Sequence, residues 1–179
     1  IGNIRDFRDI FRSRPRLMGG FIWDYKDQAL IRNDSIYGKV LAYGGDFGEK
    51  VHNGAFSLNG IVDAWNKPKP AMYENKRIYQ PAEINLIDPE KIRLNVKNRS
   101  TVLNLNHYDA FLLFRSNGQL VKEVPIAAID LAPGDSTTLS FAAHLPFKPK
   151  ADHEYQLDIQ FRLREAPAWA PMGFVVSSS

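Results

Sequence analysis

The strongest constraint on the fold is a change in the spacing of apolar residues at Pro81. After this proline, apolar and polar residues alternate with a period of two over residues 83–86, 92–97 and 155–163. Such alternation predicts strands with one face turned to solvent. Turn signals separate the runs; they are Asp88-Pro89, Ser116-Asn117-Gly118 and Ala132-Pro133-Gly134-Asp135. The spacing predicts an antiparallel sandwich of about seven strands, the immunoglobulin-like architecture.

Residues before Pro81 show helical spacing instead. Apolar residues recur every three or four positions from Ile4 to Phe11, and Pro15 follows, so a short amphipathic helix is predicted there. A second helix is predicted from Pro70 to about Tyr79, because proline suits a first helical position. The nearly continuous apolar run 17–25 predicts a buried parallel strand. Residues 26–68 show no clear periodicity, and so long an irregular stretch indicates either a functional loop or a misassigned element.

One strand between two helices cannot bury its own faces, since a parallel strand needs neighbours on both sides. We therefore expect residues 1–80 to be an incomplete α/β segment and the chain to be a piece of a larger protein. The predicted fold is mostly β, an immunoglobulin-like antiparallel β-sandwich over residues 81–179 preceded by that segment. Ten residues are predicted to face the sandwich core: Phe111, Leu112, Leu113, Phe114, Phe141, Tyr155, Leu157, Ile159, Phe161 and Leu163.

The composition excludes several classes of function. Basic and acidic residues are scattered, giving a net charge of +3, and no basic run is interleaved with aromatics, which argues against nucleic acid. No apolar stretch approaches the roughly 20 residues of a membrane span. The absence of cysteine excludes disulfides and thiolate chemistry but leaves the compartment open.

The richest chemistry lies in two segments, Gly19-Gly20-Phe21-Ile22-Trp23-Asp24-Tyr25 and Tyr43-Gly44-Gly45-Asp46-Phe47-Gly48. An apolar run that ends in aromatic and carboxylate side chains is how a barrel strand delivers residues to a sugar-binding pocket. The indole of Trp23 could stack on the apolar face of a hexose or could be a packed core residue.

Four carboxylates in and around these segments are candidates for acid/base or nucleophilic chemistry: Asp24, Asp27, Asp46 and Glu49. Such chemistry needs two carboxyl groups that converge, and nothing in the spacing of these four requires them to do so. The alternative is that they cap loops, form ion pairs or accept bonds from sugar hydroxyls. The four histidines show no spacing typical of a zinc site.

Three stretches together resemble the large bacterial β-galactosidases of glycoside hydrolase family 2. They are residues 14–25 with Asp27-Gln28, residues 42–48, and Phe56-Ser57-Leu58-Asn59-Gly60-Ile61-Val62. The resemblance implies that residues 1–80 are the last helix, strand, loop and helix of a TIM barrel, and that residues 81–179 are the next, immunoglobulin-like domain. It implies a retaining enzyme for terminal β-D-galactosides whose two catalytic glutamates lie outside this chain, so that the chain alone is inactive.

The resemblance also implies site residues and partners. Trp23, Asp24 and Asn59 would contact the sugar. The Phe56 carbonyl and the Asn59 side chain would bind sodium. The alternative for Asn59-Gly60 is a turn with no ligand. Sodium is expected in the full-length parent and magnesium is open there, with no cofactor assigned to this chain by itself. The expected partners are a β-galactoside and the remaining domains of the parent, with a homo-oligomer left open.

Two other functions remain open at this stage. The chain could be a non-catalytic carbohydrate-contacting or structural module that links domains. The parent could also be a β-glucuronidase or β-mannosidase, because related enzymes share the barrel and differ in pocket contacts.

Overall fold

The computed structural model describes residues 3–146, 148 and 150–179. The chain divides into two compact units, Ile1–Tyr79 and Gln80–Ser179, called unit 1 and unit 2 below. Among the described residues, no helix is long and apolar enough to cross a membrane.

Unit 1 contains both predicted helices, α1 (Ile4–Ser13) and α2 (Pro70–Tyr79). Each buries one isoleucine, Ile4 in α1 and Ile78 in α2. The two helices are joined by a hydrogen bond of 3.0 Å from the Arg8 guanidinium to the Ile78 carbonyl. The helical spacing and the proline signals therefore predicted these elements correctly.

The predicted buried strand over residues 17–25 is wrong. The segment is irregular, and Met18 and Phe21 are fully exposed. A continuous apolar run forms a buried strand only when neighbouring strands cover both of its faces. Here pairing is confined to the end of the run, where Asp24 and Tyr25 form backbone hydrogen bonds to residues 59–62 and Lys26 forms a parallel bridge with Val62.

The loop prediction for residues 26–68 missed a β-hairpin. Strand β1 (Leu30–Asp34) pairs antiparallel with β2 (Gly38–Ala42). The turn is closed by Asp34, whose carboxylate accepts bonds from the backbone N–H groups of Ile36 and Tyr37 at 2.8 and 3.0 Å. These backbone donors hold the pKa of Asp34 below its ordinary value. Strand β1 is mostly exposed, and burial along β2 increases toward Ala42 without alternating, so the hairpin carries no period-two pattern.

The described residues of unit 2 form seven strands, as the turn spacing predicted. They are β3 (Ala82–Asp88), β4 (Arg93–Asn98), β5 (Tyr108–Ser116), β6 (Gln119–Ile126), β7 (Ser136–Ser140), β8 (Tyr155–Leu163) and β9 (Val175–Ser178). Single 3₁₀ turns lie at Leu105–His107 and Ala142–His144. The strands form a three-stranded sheet, β3-β4-β7, and a four-stranded sheet, β6-β5-β8-β9, and every pairing is antiparallel.

The two sheets of unit 2 share one apolar core, which confirms the sandwich. Val96 of the first sheet and Leu112, Phe114, Ile159 and Phe161 of the second are all at most 1% exposed. Completely burying a side chain of this size contributes about 1.5–3 kcal/mol. The alternation of apolar residues along β4 and β8 therefore predicted the inward faces of those strands.

Two of the predicted core positions lie on the opposite face. Because Leu112 and Phe114 point inward, Phe111 and Leu113 point to the outer face of the four-stranded sheet. Leu113 is nevertheless buried there, whereas Phe111 is partly exposed. The Arg162 guanidinium lies 4.3 Å from the centre of the Phe111 ring and forms a two-pronged salt bridge with Glu123, at 3.0 and 2.7 Å. The ring of Phe111 on β5 thus lies under the guanidinium of Arg162 from β8, which reaches Glu123 on β6. The hydrophobicity of Phe111 alone does not predict this role.

A buried asparagine fixes one end of the sandwich. The Asn98 side chain is fully buried; its amide group donates to the carbonyls of Leu103 and Leu131, both at 2.8 Å. Its oxygen accepts a bond of 2.9 Å from the Ser100 N–H. All three bonds hold connections between strands.

Strand β6 forms one edge of the four-stranded sheet. It carries exposed Lys122, partly exposed Glu123, and Pro125, which lies opposite Phe111 in the register. Proline is tolerated on an edge strand because it has no N–H group to contribute to a ladder.

Candidate functional site

The predicted sugar and cation contacts lie in, or directly before, two segments of unit 1 that pair through their backbones. Residues 24–28 and 57–62 exchange five backbone hydrogen bonds of 2.8–3.3 Å. Among these, the Asp24 N–H donates to the Asn59 carbonyl and the Ile61 N–H donates to the Asp24 carbonyl. The pairing places Asp24 beside Asn59, although 35 positions separate them in the sequence.

Trp23 stands on the surface of unit 1. Its side chain is 73% exposed, so it is not a packed core tryptophan within this unit. It lines an apolar groove of about 340 Å³ together with Ile4, Phe7, Phe11, Gly20, Phe21, Ile22 and Tyr79. The peptide bond between Trp23 and Asp24 is cis. An accessible indole of this kind can stack on a sugar ring.

The Asp24 carboxylate is engaged locally. One oxygen accepts a bond of 2.7 Å from the Tyr25 N–H, and the other accepts a bond from the Gln28 side-chain amide. The side chain remains partly exposed. A carboxylate oriented in this way still has lone pairs that can accept bonds from sugar hydroxyls.

Asp27 is the most buried acidic side chain of the candidate site. Its side chain is 3% exposed, and its Oδ1 atom accepts bonds from the Gly60 N–H at 2.8 Å and from the Lys69 ammonium at 2.7 Å. Of the alternatives left open by the sequence, the geometry matches a loop-holding ion pair. No sequence signal pointed to Lys69, because 42 positions separate it from its partner.

Gly60 is required for close packing. A Cβ atom at this position would lie 2.2 Å from the Asp27 backbone nitrogen and 2.5 Å from the Val62 carbonyl oxygen. Real side chains do not approach backbone atoms so closely. The sequence identified Asn59-Gly60 only as a turn or a ligand loop, whereas the packing requirement needs the neighbouring segment to be known.

The glycine-rich loop at residues 43–49 is closed by its own carboxylates. Glu49 accepts bonds from the Gly45 and Phe47 N–H groups at 2.8 and 3.1 Å, and these donors hold its pKa below the ordinary value. Asp46 accepts a bond of 2.9 Å from the Tyr43 N–H. Together with Asp24 and Asp27, all four candidate carboxylates are therefore held by nearby donors, which matches the loop-capping alternative.

Oxygen atoms near Asn59 are available for a cation. Within the described residues, neither the Phe56 carbonyl nor the Asn59 side chain takes part in a hydrogen bond. The buried Oγ atom of Ser57, which lies between them in sequence, also has no partner. Such oxygen donors fit a hard cation such as sodium, as an incomplete ligand set. Among the described residues, no group of three or more histidine and acidic side chains is arranged to hold a metal.

Comparison with known proteins gives a consistent result along the whole chain. Residues 1–84 match a family model described as glycosyl hydrolases family 2, TIM barrel domain, and residues 94–179 match one described as β-galactosidase, domain 4. A β-galactosidase from Priestia megaterium is 36% identical over 176 residues, which is 98% of this chain. A β-galactosidase from Vibrio cholerae is 33% identical over 178 residues, or 99% of the chain. The chain spans 17% of the length of each of these relatives.

Proposed function

The chain belongs to the glycosyl hydrolases of family 2, and we propose that it is a segment of a retaining β-galactosidase that hydrolyses terminal β-D-galactosides. The observation that carries the proposal is the exposed indole of Trp23 next to Asp24, whose backbone is bonded to Asn59. These residues present an aromatic face, a carboxylate and an amide along one short stretch of surface. Stacking plus hydroxyl-directed hydrogen bonds is the chemistry by which proteins hold a pyranose.

The segment contributes binding and not bond cleavage in this proposal. Retaining hydrolysis needs one carboxylate to attack the anomeric carbon and one carboxylic acid to protonate the leaving oxygen. Asp24, Asp27, Asp46 and Glu49 are each held by local donors, which supports placing both catalytic glutamates in the rest of the parent. The chain alone would then be inactive, because such residues act as a unit and the loss of either removes most of the catalysis.

A cation is proposed to bind beside the sugar in the parent. The Phe56 carbonyl and the Asn59 side-chain oxygen would supply two of the oxygen ligands of a sodium ion, and further ligands would come from other parts of the parent. The ion would supply a fixed positive charge to orient sugar oxygens. A magnesium ion, if the parent holds one, is not assigned to residues of this chain.

The proposed partners follow from the length of the relatives. Because the chain spans 17% of the relatives in length, the remaining domains of the parent are proposed to surround both units. Unit 2 would then act as a structural link. A homo-oligomeric parent is compatible with this assignment and is not required by it.

A panel of chromogenic glycosides tests the proposal. The chain and the full-length parent are assayed in parallel with nitrophenyl β-galactoside, β-glucuronide and β-mannoside. We expect turnover of the galactoside by the parent alone. Preferred turnover of the glucuronide or mannoside would assign the parent to another β-glycosidase activity, and galactoside hydrolysis by the isolated chain would refute the assignment of catalysis to the missing part.

A non-catalytic role is the second candidate, and the locally held carboxylates favour it for this chain. A titration of the chain with methyl β-D-galactopyranoside, followed through the indole resonance of Trp23, measures binding directly. Binding by the chain, together with a full-length parent that hydrolyses no glycoside, would identify a carbohydrate-contacting module.

A further inference from the structure

One ion pair ties three stretches of unit 1 together. The Lys69 ammonium lies 2.7 Å from the Asp27 carboxylate and donates a second bond, of 3.2 Å, to the Leu58 carbonyl. The same Asp27 oxygen accepts the Gly60 N–H at 2.8 Å. Lys69 therefore reaches both sides of Asn59, through Leu58 directly and through Gly60 by way of Asp27.

The environment makes this pair a rigid connection. The Asp27 side chain is 3% exposed, whereas that of Lys69 is 32% exposed, so the carboxylate depends on the lysine for its opposite charge. A buried carboxylate that loses its cation is left uncompensated and must move toward water. Since Gly60 donates to the same oxygen, such a movement would pull on the Asn59-Gly60 peptide.

Little room exists for the loop to adjust in any other way. The backbone of Gly60 packs so closely on Asp27 that even a methyl group would meet backbone atoms. Asp24, three residues before Asp27, is bonded through its own N–H to the Asn59 carbonyl. The position of Asn59 relative to Trp23 and Asp24 is thus set at two points, the backbone pairing and the ion pair.

We propose that Lys69, acting through Asp27, is a positioning residue that holds Asn59 in register with Trp23 and Asp24 for sugar and cation binding. This inference rests on the proposed function of the same site. The Lys69 ammonium bonds Asp27 and the Leu58 carbonyl and acts on Asn59 only through them. Its removal is expected to weaken ground-state binding of the galactoside and of sodium, with little effect on the chemical step.

The kinetic test compares Lys69→Met with Lys67→Met in the full-length parent. Lys67 is an exposed lysine two positions away with no side-chain bond among the described contacts, so it is a matched control. Lys69→Met is expected to raise KM for a nitrophenyl β-galactoside, and the sodium concentration for half-maximal activity, by about tenfold, as removal of an outer-shell partner does. At saturating substrate and sodium, kcat should stay within about twofold. Lys69→Arg, which keeps the cation, should recover most of the loss.

A second readout does not depend on catalysis. Amide resonances of Asn59 and Gly60 in the 179-residue chain are expected to shift in Lys69→Met and to stay in place in Lys67→Met. Lys69→Gln, which keeps a hydrogen-bond donor, replaces the methionine variant if the latter does not fold. Unchanged KM and sodium dependence in a folded variant would overturn the inference. A parent without galactosidase activity would refute the proposed function instead. In that case, amide resonances of Asn59 and Gly60 that do not shift in the Lys69 variant would by themselves overturn the positioning role.

Discussion

Replacing Gly60 with alanine tests the packing on which the candidate site depends. The added methyl carbon would lie 2.2 Å from the Asp27 nitrogen, 2.5 Å from the Lys26 carbonyl carbon and 2.5 Å from the Val62 carbonyl oxygen. Ordinary contacts between such atoms begin at about 3.5 Å, so the two segments must separate by roughly 1 Å. All three obstacles are backbone atoms, and no side chain can rotate away to relieve them.

The separation carries a calculable cost. The 2.8 Å bond from the Gly60 N–H to the Asp27 carboxylate would stretch beyond hydrogen-bonding range, and a bond to a charged group contributes about 1.5–3 kcal/mol. Weakening one or two backbone bonds of the adjoining pairing adds about 1 kcal/mol each. Alanine offsets about 0.4–1 kcal/mol by restricting the unfolded chain. The expected loss is therefore about 3 kcal/mol in the free energy of unfolding of unit 1.

Urea unfolding followed by tryptophan fluorescence measures this loss. A Trp169→Phe background leaves only Trp23 and Trp65, so the emission reports on unit 1. The control is Gly48→Ala, where φ is +82° and no atom lies within 4 Å of the added carbon, so that only about 1 kcal/mol of backbone strain is expected. A Gly60→Ala variant no less stable than the control would show that the two segments separate freely and would refute the argument.

Two further predictions concern unit 2. Asn98→Ala should lower the free energy of unfolding of unit 2 by about 2–4 kcal/mol in urea unfolding, because three side-chain bonds are lost, the partly buried Leu103 carbonyl loses this donor and the Leu131 carbonyl keeps only the Leu105 N–H; a loss below about 0.5 kcal/mol would contradict this. The hydrogen bond from Arg162 lowers the pKa of Glu123 from its ordinary value of 4.5, so the folded-state pKa lies below the unfolded-state pKa. The resulting stabilisation is complete above the unfolded-state pKa and is lost as the pH falls through the folded-state pKa. At neutral pH the unfolding free energy of Glu123→Gln should accordingly be lower than that of the unsubstituted chain by less than about 1 kcal/mol, since the pair is partly exposed. The difference should shrink as the pH falls below the ordinary value of 4.5, and a difference independent of pH would contradict the assignment.

The sequence predicted unit 2 well because its strands have one buried and one exposed face. Alternation along β8 identified Ile159 and Phe161 as core residues, and glycine and proline marked the turns correctly. It assigned the wrong face to Phe111 and Leu113, because apolar residues occupy both faces of β5, although Leu113 is buried as predicted. At such positions hydrophobicity gives no direction, and only the neighbouring strand, which supplies Arg162 across the sheet, decides between the faces.

Unit 1 was harder to predict because its structure depends on contacts between distant residues. The run 17–25 has the composition of a buried strand, yet the described chain supplies a pairing partner only for its last two residues, Asp24 and Tyr25, and the rest stays irregular. The pairing of residues 24–28 with 57–62 joins segments more than 30 positions apart, and a period in the sequence cannot encode such a partner. For this reason the sequence identified Asp27 as a candidate but not its partner Lys69. It likewise identified Gly60 but not the packing role of that residue. The sugar and cation contacts of Trp23, Asp24, Phe56 and Asn59 stay predictions.

Strand β6 has a consequence for the handling of this protein. An edge strand offers unpaired backbone groups on which a second chain can grow a sheet, and β6 also exposes Leu120 and Val121. Pro125 has no backbone N–H to donate to an added strand. Lys122 and Glu123 place charged side chains on the same edge strand, where they oppose the pairing of a second chain. Lys122, Glu123 and Pro125 thus protect this edge against aggregation. They should be kept unchanged when unit 2 is transferred into another protein.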